Sequence, residues 1–508
     1  MAFLFLPEQL ISTLVLLLVL ALYVKCSRSK NPLYINWPII GILPSLVLNF
    51  YRFHDYVNHL LSFSGHSFKV PIASMGSFVT CDPANVQHIF TSNHANYPKG
   101  EGFADIFNVT SGSLFTADGE SCRRQRARYQ SALSSPGFVA FTTKCCHDKV
   151  EKGLLPFFTR AARNRTLLDI NDLIGRLVFD LYATSVFDVD PGLLSFDMPP
   201  VQLADAMDTV MEVGFFQIIV PAFCWKVMRS LNIGPERKLA AAQAVLRGFT
   251  MEMIETRRKI GTHIGPEEQA PASSSMDILS NFIDDLEYNT DDLLQATLIT
   301  HMIAGRDTIS TTLPWVFYNL AKNPHVVSRI RNELAPLVSR KETFIASTTM
   351  TFEPEEVKAL VYLQATLMES LRLYPPIPIE RKAVAASDVM PSGHEVCAQD
   401  IIIVSLYSMG RMEDLWGADC KEYKPERWLS KDGVMLRHVP SHKFLAFNSG
   451  PRLCLGKDIA ITQMKTVVAS VMWSFDMEVF GDQGIEPKLS CLLQMKNGLK
   501  LKVQKREM

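Results

Sequence analysis

The residues best suited to chemistry lie in one stretch, Phe447–Gly456, which reads FNSGPRLCLG. Within it, Cys454 comes just before an amphipathic helix that the apolar spacing predicts over residues 457–473. A helix N-terminus favours the thiolate form of cysteine, which can bind a metal or act as a nucleophile. Most free cysteines are instead small apolar members of a core. The glycines and the arginine around Cys454 argue against that interpretation.

Three neighbours of this cysteine indicate what the stretch could hold. Gly450 and Gly456 allow the backbone to approach a flat partner where side chains would clash. Arg452 supplies a rigid positive fork that suits a buried carboxylate or a phosphate. The stretch therefore predicts a site for a flat partner, with Arg452 available to an acidic group.

A second candidate for chemistry lies inside a helix predicted over residues 291–320, in the stretch Ala304–Thr308, which reads AGRDT. Gly305 in mid-helix costs about 1 kcal/mol relative to alanine, so we expect a flat ligand to pass close to it. Thr308 can hydrogen-bond the carbonyl four residues earlier and loosen the helix there. Asp307 beside it is an acid able to carry protons. An ordinary helix whose threonine and aspartate face a neighbour is the simpler alternative.

Two further residues predict a buried ion pair. Glu369 and Arg372 stand three residues apart in a helix predicted over 361–374, so they share a face. Leucines surround them in the sequence, which favours burial. The later stretch KPERW supplies Arg427 as a second arginine.

The stretch around the cysteine matches the pattern Phe-x-x-Gly-x-Arg-x-Cys-x-Gly at all five fixed positions and resembles the haem-binding loop of the cytochrome P-450 monooxygenases. The resemblance implies haem b as the cofactor and Cys454 as the axial ligand of its iron. In that family the thiolate pushes electron density onto iron and favours O–O cleavage. The other matched residues, implied to contact the cofactor, are Phe447, Gly450, Arg452 and Gly456.

The long helix also resembles that family, whose pattern is Ala/Gly-Gly-x-Asp/Glu-Thr. The resemblance implies that Asp307 relays protons and that Thr308 hydrogen-bonds the oxygen bound at the iron. It also implies that Ala304 and Gly305 form the groove for oxygen. Pro314 lies farther along, where we expect a kink near residue 310.

Two other features carry the resemblance less directly. Glu369, Arg372 and Arg427 match the family's Glu-x-x-Arg and Pro-Glu-Arg triad, which implies that they lock the cysteine loop in place. Arg126 matches the arginine of a Trp-x-x-x-Arg pattern whose side chains both reach a haem propionate. This chain has Cys122 in place of the tryptophan, so the resemblance implies that one such contact is lost.

The chain as a whole predicts a large, mainly α-helical fold with a smaller β region, as the resemblance implies. It has 508 residues, is 47% hydrophobic, and balances 51 Lys and Arg against 52 Asp and Glu, which argues against a nucleic-acid partner. The ten cysteines form no disulfide framework, so we expect a reducing compartment. We expect extended structure over 68–81, 384–405 and 474–503, and loops over 100–116 and 261–275.

The N-terminal residues predict a membrane anchor. Residues 1–25 are strongly apolar, and the positive residues follow the apolar run, unlike those of a cleaved signal peptide. Residues 26–45 are basic and proline-rich and predict a stiff hinge, followed by a single catalytic domain over 46–508. We expect one span of the endoplasmic reticulum membrane with the domain on the cytoplasmic side.

The reaction implied by the resemblance is insertion of one oxygen atom from dioxygen into a C–H bond of a hydrophobic small molecule. Electrons would come from NADPH through NADPH–cytochrome P-450 reductase. We expect that reductase to dock near Lys443, Lys457 and the arginines of 123–128. The apolar stretch 213–221 lies where the family roofs its substrate pocket, and Ile377–Ile379 where the family edges it.

Two substrate classes stay open for such a monooxygenase, and two other kinds of protein remain as alternatives to it. Several stretches are similar to the plant enzymes that hydroxylate fatty acids and long alkanes, and most similar to wax-alkane hydroxylases. A branch of those relatives oxidises or couples alkaloid phenols. A haem-thiolate isomerase or dehydratase is a third possibility, but it would lack the proton relay of Asp307 and Thr308. A membrane-anchored binding protein would need no cysteine ligand.

Overall fold

The computed structural model describes residues 42–72, 75–263, 277–285, 288, 290–341 and 349–506. The predicted anchor over 1–25, residues 26–41 of the hinge and residues 264–275 of the predicted loop lie outside these ranges. Within them, no helix combines the length and the apolar character that a bilayer span requires.

Helices dominate the described chain, as expected from the amphipathic stretches between its prolines and glycines. The α-helices are Leu43–Leu48, Phe53–Phe63, Pro83–Gln87, Glu101–Ile106, Gly119–Leu133, Pro136–Lys149, Leu155–Asn164, Ile170–Phe187, Gln202–Ile219, Ala222–Leu231, Gly234–His263, Ile278–Phe282, Asp291–Met302, Thr308–Lys322, Pro324–Lys341, Pro354–Lys358, Val361–Leu373, Leu406–Met409, Glu413–Trp416 and Lys457–Ser474. Short 3-10 turns are Phe50–Arg52, His94–Asn96, Asn108–Thr110, Pro425–Trp428 and Gly450–Arg452. Wider π-helical turns are His88–Ser92, Val150–Leu154 and Ile303–Asp307.

The β region consists of three small sheets. One has four strands in the order Ser67–Ile72, Met75–Thr80, Ile401–Ser405 and Ile379–Ala383. Its middle pair is parallel and its outer pairs are antiparallel. The others are antiparallel: Leu168–Asp169 with Lys500–Lys505 and Phe475–Val479, and Asp388–Val389 with Glu395–Val396. The hairpin predicted over 68–81 and the strands predicted near 384–405 and 474–503 are thus confirmed.

The segment 100–116 differs from its prediction as a loop. It contains the helix Glu101–Ile106 and the turn Asn108–Thr110. The physical reason is a cluster of three rings, Phe103, Phe107 and Phe115, whose centroids lie 4.8 to 5.2 Å apart. Mutual packing of these rings orders a segment that has no helical period of its own.

The long helix predicted over 291–320 is present, but it is not uniform. It runs as an α-helix to Met302, widens to π geometry over Ile303–Asp307, and continues as an α-helix over Thr308–Lys322. Pro314 lies inside that last α-helical segment. The departure from α geometry therefore falls on the AGRDT stretch. The expected kink near residue 310 stays a prediction.

The helix that follows the cysteine loop runs through the core. It spans Lys457–Ser474, and every residue from 463 to 475 is buried. A helix enclosed by neighbours on all sides is fixed by packing rather than by its own propensity. Its N-terminus therefore gives the preceding loop a rigid support.

A buried ion cluster supports the chain that leads into the cysteine loop. Glu369 and Arg372 are fully buried and pair through two hydrogen bonds of 2.8 Å. Glu369 also accepts the indole N–H of Trp428 at 2.9 Å, and Arg427 lies 3.4 Å away. Arg372 donates to the carbonyls of Gly410, Cys420 and Glu422. The cluster thus ties the helix Val361–Leu373 to the chain that leads into the cysteine loop.

Replacement of Arg372 by methionine should destabilise the fold by about 3–5 kcal/mol, because Glu369 would be left as a buried charge without its main partner. Arg123→Met is the matched control, since Arg123 pairs with Glu120 on the surface and such a pair is worth at most about 1 kcal/mol. Chemical denaturation measures both. Equal midpoints for the two variants would contradict a structural role for the buried cluster.

Candidate active site

The cysteine loop is held by its own backbone. The amide of Cys454 donates to the carbonyl of Phe447 at 2.8 Å. Gly450 has φ +59°, and a Cβ there would lie 2.1 Å from the carbonyl oxygen of Phe90. The close neighbour of Gly450 within the described chain is thus a peptide carbonyl, and the approach of this loop to a flat partner stays a prediction. A Cβ on Gly456 would meet nothing within 4 Å in the described chain.

The protonation of Cys454 reflects two opposing effects. Burial raises the pKa of its thiol, while the Gly456 amide, Arg126 and Lys457 act in the opposite direction. The Gly456 amide at the helix N-terminus thus acts in the predicted direction, towards the thiolate, but desolvation of the charged sulfur is the larger effect in the loop by itself. A bound metal cation reverses that balance, since a coordinating thiol is deprotonated outright.

The two arginines predicted near the cofactor both connect the cysteine loop to the helix Gly119–Leu133 and the residues just before it. Arg126, on the helix Gly119–Leu133, donates to the carbonyl of Leu453. Arg452 donates to the carboxylate of Asp118 at 2.6 Å and to the carbonyl of Ala117 at 2.5 Å. Part of the fork of Arg452 is thus satisfied by the chain itself.

The AGRDT stretch has the local geometry expected of it. The Thr308 hydroxyl donates at 2.8 Å to the carbonyl of Ala304, which lies in the π-helical turn. Turns of this kind are frequent at functional sites. Gly305 has a flat neighbour, but it is the ring of Tyr182: a Cβ on Gly305 would lie 1.8 Å from that ring. The missing side chain therefore makes room for a neighbouring helix, Ile170–Phe187.

Asp307 lies in a buried chain of charges. Arg306 places one nitrogen, Nη1, 2.7 Å from both Asp307 and Asp208. The second oxygen of Asp307, Oδ2, is buried and has no hydrogen-bond partner. Burial raises the pKa of Asp307 to about 6, although Arg306 acts to lower it. The carboxyl group therefore exchanges its proton close to neutral pH, as a relay requires.

Tyr182 connects the AGRDT stretch to the helix that follows the cysteine loop. The ring of Tyr182 lies against Gly305, and its hydroxyl donates to Gln463 in the helix behind the loop at 3.2 Å. Burial raises the pKa of the Tyr182 hydroxyl, and the charge of Cys454 adds to that effect. Two motifs about 150 residues apart in sequence thus belong to one site.

Two buried lysines near the loop were missed by the sequence reasoning. Lys382 is buried, lies 4.9 Å from the ring centroid of Phe90, and has no ion pair in the described chain. Lys99 is buried and donates to the carbonyl of Phe115 at 2.7 Å. Burial lowers the pKa of Lys99 to about 7, and Lys382 and Arg452 are close enough to lower it further. Nothing in the sequence marks these lysines, because their burial follows from the fold.

Known proteins resemble the chain over nearly its whole length. The family model described as Cytochrome P450 matches residues 32–503. Noroxomaritidine synthase 2 of Narcissus pseudonarcissus is 36% identical over 98% of this chain and 96% of its own length. Alkane hydroxylase MAH1 of Arabidopsis thaliana is 35% identical over 94% of each chain.

The helical fold, the cysteine loop and the acid–threonine segment together are those of a haem-thiolate enzyme. The chain belongs to the cytochrome P-450 family and is a monooxygenase. Enzymes of this family bind haem through a cysteine thiolate and receive electrons from NAD(P)H through a reductase.

The residues present fit that cofactor. Cys454 has exposed surface although burial dominates its pKa, and Ala304 is exposed in mid-helix, with Ile303 buried and Gly305 half-buried beside it. Haem bound between the cysteine loop and the long helix would cover both exposed residues. The buried cations Lys99 and Lys382 suit the two haem carboxylates, because a buried ammonium otherwise carries a large desolvation cost.

Replacement of Lys382 by glutamine should speed the transfer of haem to excess apomyoglobin by about tenfold or more. A hydrogen bond to a charged group contributes roughly 1.5–3 kcal/mol, and each 1.4 kcal/mol is a factor of ten. Lys431→Gln, at an exposed lysine, is the control. Haem transfer at the same rate from both variants would show that Lys382 does not hold the cofactor.

Proposed function

We propose that this chain hydroxylates a long-chain aliphatic molecule, inserting one oxygen atom from dioxygen with electrons from NADPH through NADPH–cytochrome P-450 reductase. The observation that carries the proposal is that Tyr182 packs against Gly305, beside the intact Asp307–Thr308 pair, and hydrogen-bonds the helix that follows Cys454. An alkane hydroxylase among the relatives supports the aliphatic substrate. The alternative is the same chemistry on a plant specialised metabolite, which the likeness to noroxomaritidine synthase supports.

In this mechanism Cys454 ligates the iron, and the helix Lys457–Ser474 keeps the loop rigid behind it. Phe447, Gly450 and Gly456 shape the loop, and Arg126 and Arg452 brace it. Haem, when bound, supplies the oxidising chemistry. The protein controls orientation, water access and protons.

The proton path proposed here uses the two residues of the long helix. The Thr308 hydroxyl gives its own hydrogen to the carbonyl of Ala304, so its oxygen lone pairs remain available to accept a second hydrogen bond. Asp307 holds a proton at Oδ2, which has no other partner. Arg306 fixes the opposite oxygen and so keeps the acid in one orientation. Gly305 contributes the close packing of Tyr182 that holds this segment in place.

A reductase-independent isomerase or dehydratase is disfavoured by the same residues. Such an enzyme rearranges a hydroperoxide and needs no proton delivery to dioxygen. A buried acid with a free oxygen and a pKa near 6 serves no purpose in that reaction. Product formation without NADPH would favour it nevertheless.

An exposed apolar surface supports association with a membrane. The side chains of Phe223 and Leu231, on the helix Ala222–Leu231, are 66% and 62% exposed, and Leu48 is 76% exposed. Phe50, two residues after Leu48, packs on Phe215 with ring centroids 6.4 Å apart. Phe215 belongs to the helix Gln202–Ile219, which comes just before the helix Ala222–Leu231. We propose that this surface lies on the endoplasmic reticulum membrane beside the predicted anchor, with the catalytic domain in the cytoplasm.

With residues 1–25 removed, Phe223→Ser combined with Leu231→Ser should weaken binding to phospholipid vesicles at least tenfold, since burial of each side chain is worth about 1.5–3 kcal/mol. Val434→Ser with Met435→Ser is the control, because those side chains are 66% and 63% exposed elsewhere. Co-sedimentation measures both. Equal loss in the two pairs would argue against a membrane-facing surface.

Some of the positive residues predicted to dock the reductase form ion pairs within the chain. Arg123 pairs with Glu120, and Arg128 with Asp285 at 2.7 Å, so part of the positive charge on this helix is neutralised. Lys443 is exposed, and Lys457 lies 5.5 Å from the ring centroid of Phe447 beside the cysteine loop. We propose that these two lysines are the main contacts for an acidic reductase surface.

The test of the proposed function is product analysis in microsomes that hold the chain and a plant reductase, with palmitic acid, hexadecane and a phenolic amine. We expect hydroxylated aliphatic products that require NADPH. Thr308→Val should lower product formed per NADPH at least tenfold, because proton delivery typically contributes 10²–10⁴-fold. Thr312→Val, which removes a similar bond to the Thr308 carbonyl, should not. Turnover of the phenolic amine alone would contradict the proposal of an aliphatic substrate.

A further inference from the structure

Arg381 is half-buried, and it differs from the fully buried arginines of the described chain. Its guanidinium makes no hydrogen bond or ion pair there, and its Nη1 atom has no exposed surface. Arg306, by comparison, pairs with two aspartates, and Arg372 pairs with Glu369. An enclosed cationic nitrogen without a partner carries a desolvation cost, so such a group indicates an anion that binds to it.

The strand that carries Arg381 has two different faces. It spans Ile379–Ala383, and successive side chains point to opposite sides. Glu380 accepts a hydrogen bond from Asn448 of the cysteine loop at 3.1 Å, and Lys382 lies on the same side. Arg381 therefore points away from the loop.

The face that Arg381 shares with Ile379 meets the segment that covers the site. The Nη2 atom of Arg381 lies 3.0 Å from the position that a Cβ on Gly102 would take. Gly102 belongs to the helix Glu101–Ile106, and Ile379 is buried beside Arg381. The guanidinium thus lies between the strand and this helix, in the space that the absent side chain of Gly102 leaves.

The haem carboxylates are the obvious alternative partner for Arg381, but the charges around it argue against them. Burial lowers the pKa values of Lys99 and Lys382; Lys382 and Arg452 act on Lys99 in the same direction, and Arg452 acts on Lys382, so these three cations lie together. Burial lowers the pKa of Arg381 to about 10, and no neighbouring charge contributes to that change. Arg381 consequently lies apart from the cluster that suits the cofactor, and it remains a cation at neutral pH.

We propose that Arg381 binds the carboxylate of the substrate, so that the enzyme prefers an aliphatic acid to an alkane or an amine. This inference rests on the function proposed above. A guanidinium binds a carboxylate through two parallel hydrogen bonds. An alkane would leave the guanidinium of Arg381 without a partner, and a protonated amine would be repelled by it.

The test is a substrate titration of the haem-loaded enzyme, followed by the spin-state change in its absorption spectrum. The ligands are palmitic acid, methyl palmitate and hexadecane. The wild type should bind the acid at least tenfold more tightly than the ester. Arg381→Gln should remove that preference and leave the affinity for the ester unchanged, while Arg381→Lys should keep part of it. Arg163→Gln, at an exposed arginine, is the matched control.

A second variant tests the contact between Arg381 and Gly102 by changing the glycine. Gly102 has an ordinary backbone conformation, so Gly102→Ala adds a methyl group that displaces only the end of the Arg381 side chain. We expect it to weaken binding of the acid several-fold and to leave binding of the ester unchanged.

Two results would overturn the proposal. One is equal affinity of the wild type for acid and ester. The other is loss of haem from Arg381→Gln, which would assign Arg381 to the cofactor carboxylates. Neither depends on NADPH or reductase, so failure of the proposed reaction itself appears separately, as an absence of products in the microsomal assay.

Discussion

The thiolate form of Cys454 has to be stabilised in a largely desolvated position, and much of the structure serves that requirement. Burial raises the pKa of Cys454 and so works against the thiolate. The Gly456 amide and the cations Arg126 and Lys457 reduce that penalty without removing it, which leaves the metal to complete the balance. The ligand must therefore be presented in a fixed position. The buried helix Lys457–Ser474 and the Glu369 cluster provide that rigidity from two sides.

The distribution of buried charge separates groups that support the fold from groups that await a ligand. Arg372 pairs with Glu369, and Arg306 pairs with Asp208 and Asp307. Lys99 and Lys382 are buried and Arg381 is half-buried, and none of the three forms an ion pair in the described chain. A protein tolerates buried cations of this kind where an anion completes them. Two carboxylates of a cofactor and one of a substrate would account for all three.

The sequence predicted the parts of the site whose chemistry is local. The loop around Cys454, the acid–threonine pair and the Glu369–Arg372 pair each occupy a few consecutive residues, so spacing alone identifies them. The tyrosine ring beside Gly305 and the peptide carbonyl beside Gly450 were not predicted, because both come from distant segments, and contact of these glycines with a flat cofactor stays a prediction. Lys382 and Arg381 gave no signal, since a charged residue in a strand is ordinarily exposed and only the fold shows that Lys382 is buried and Arg381 half-buried.

The most direct test of the account is the source of the oxygen atom in the product. Reconstituted enzyme, reductase and NADPH would be incubated with the aliphatic acid under isotope-labelled dioxygen, and the product analysed by mass spectrometry. The account predicts one labelled oxygen atom in each hydroxylated product, and no product from Cys454→Ala. Unlabelled product, or product formed without NADPH, would contradict a monooxygenase that depends on the Cys454 thiolate and the Asp307–Thr308 relay.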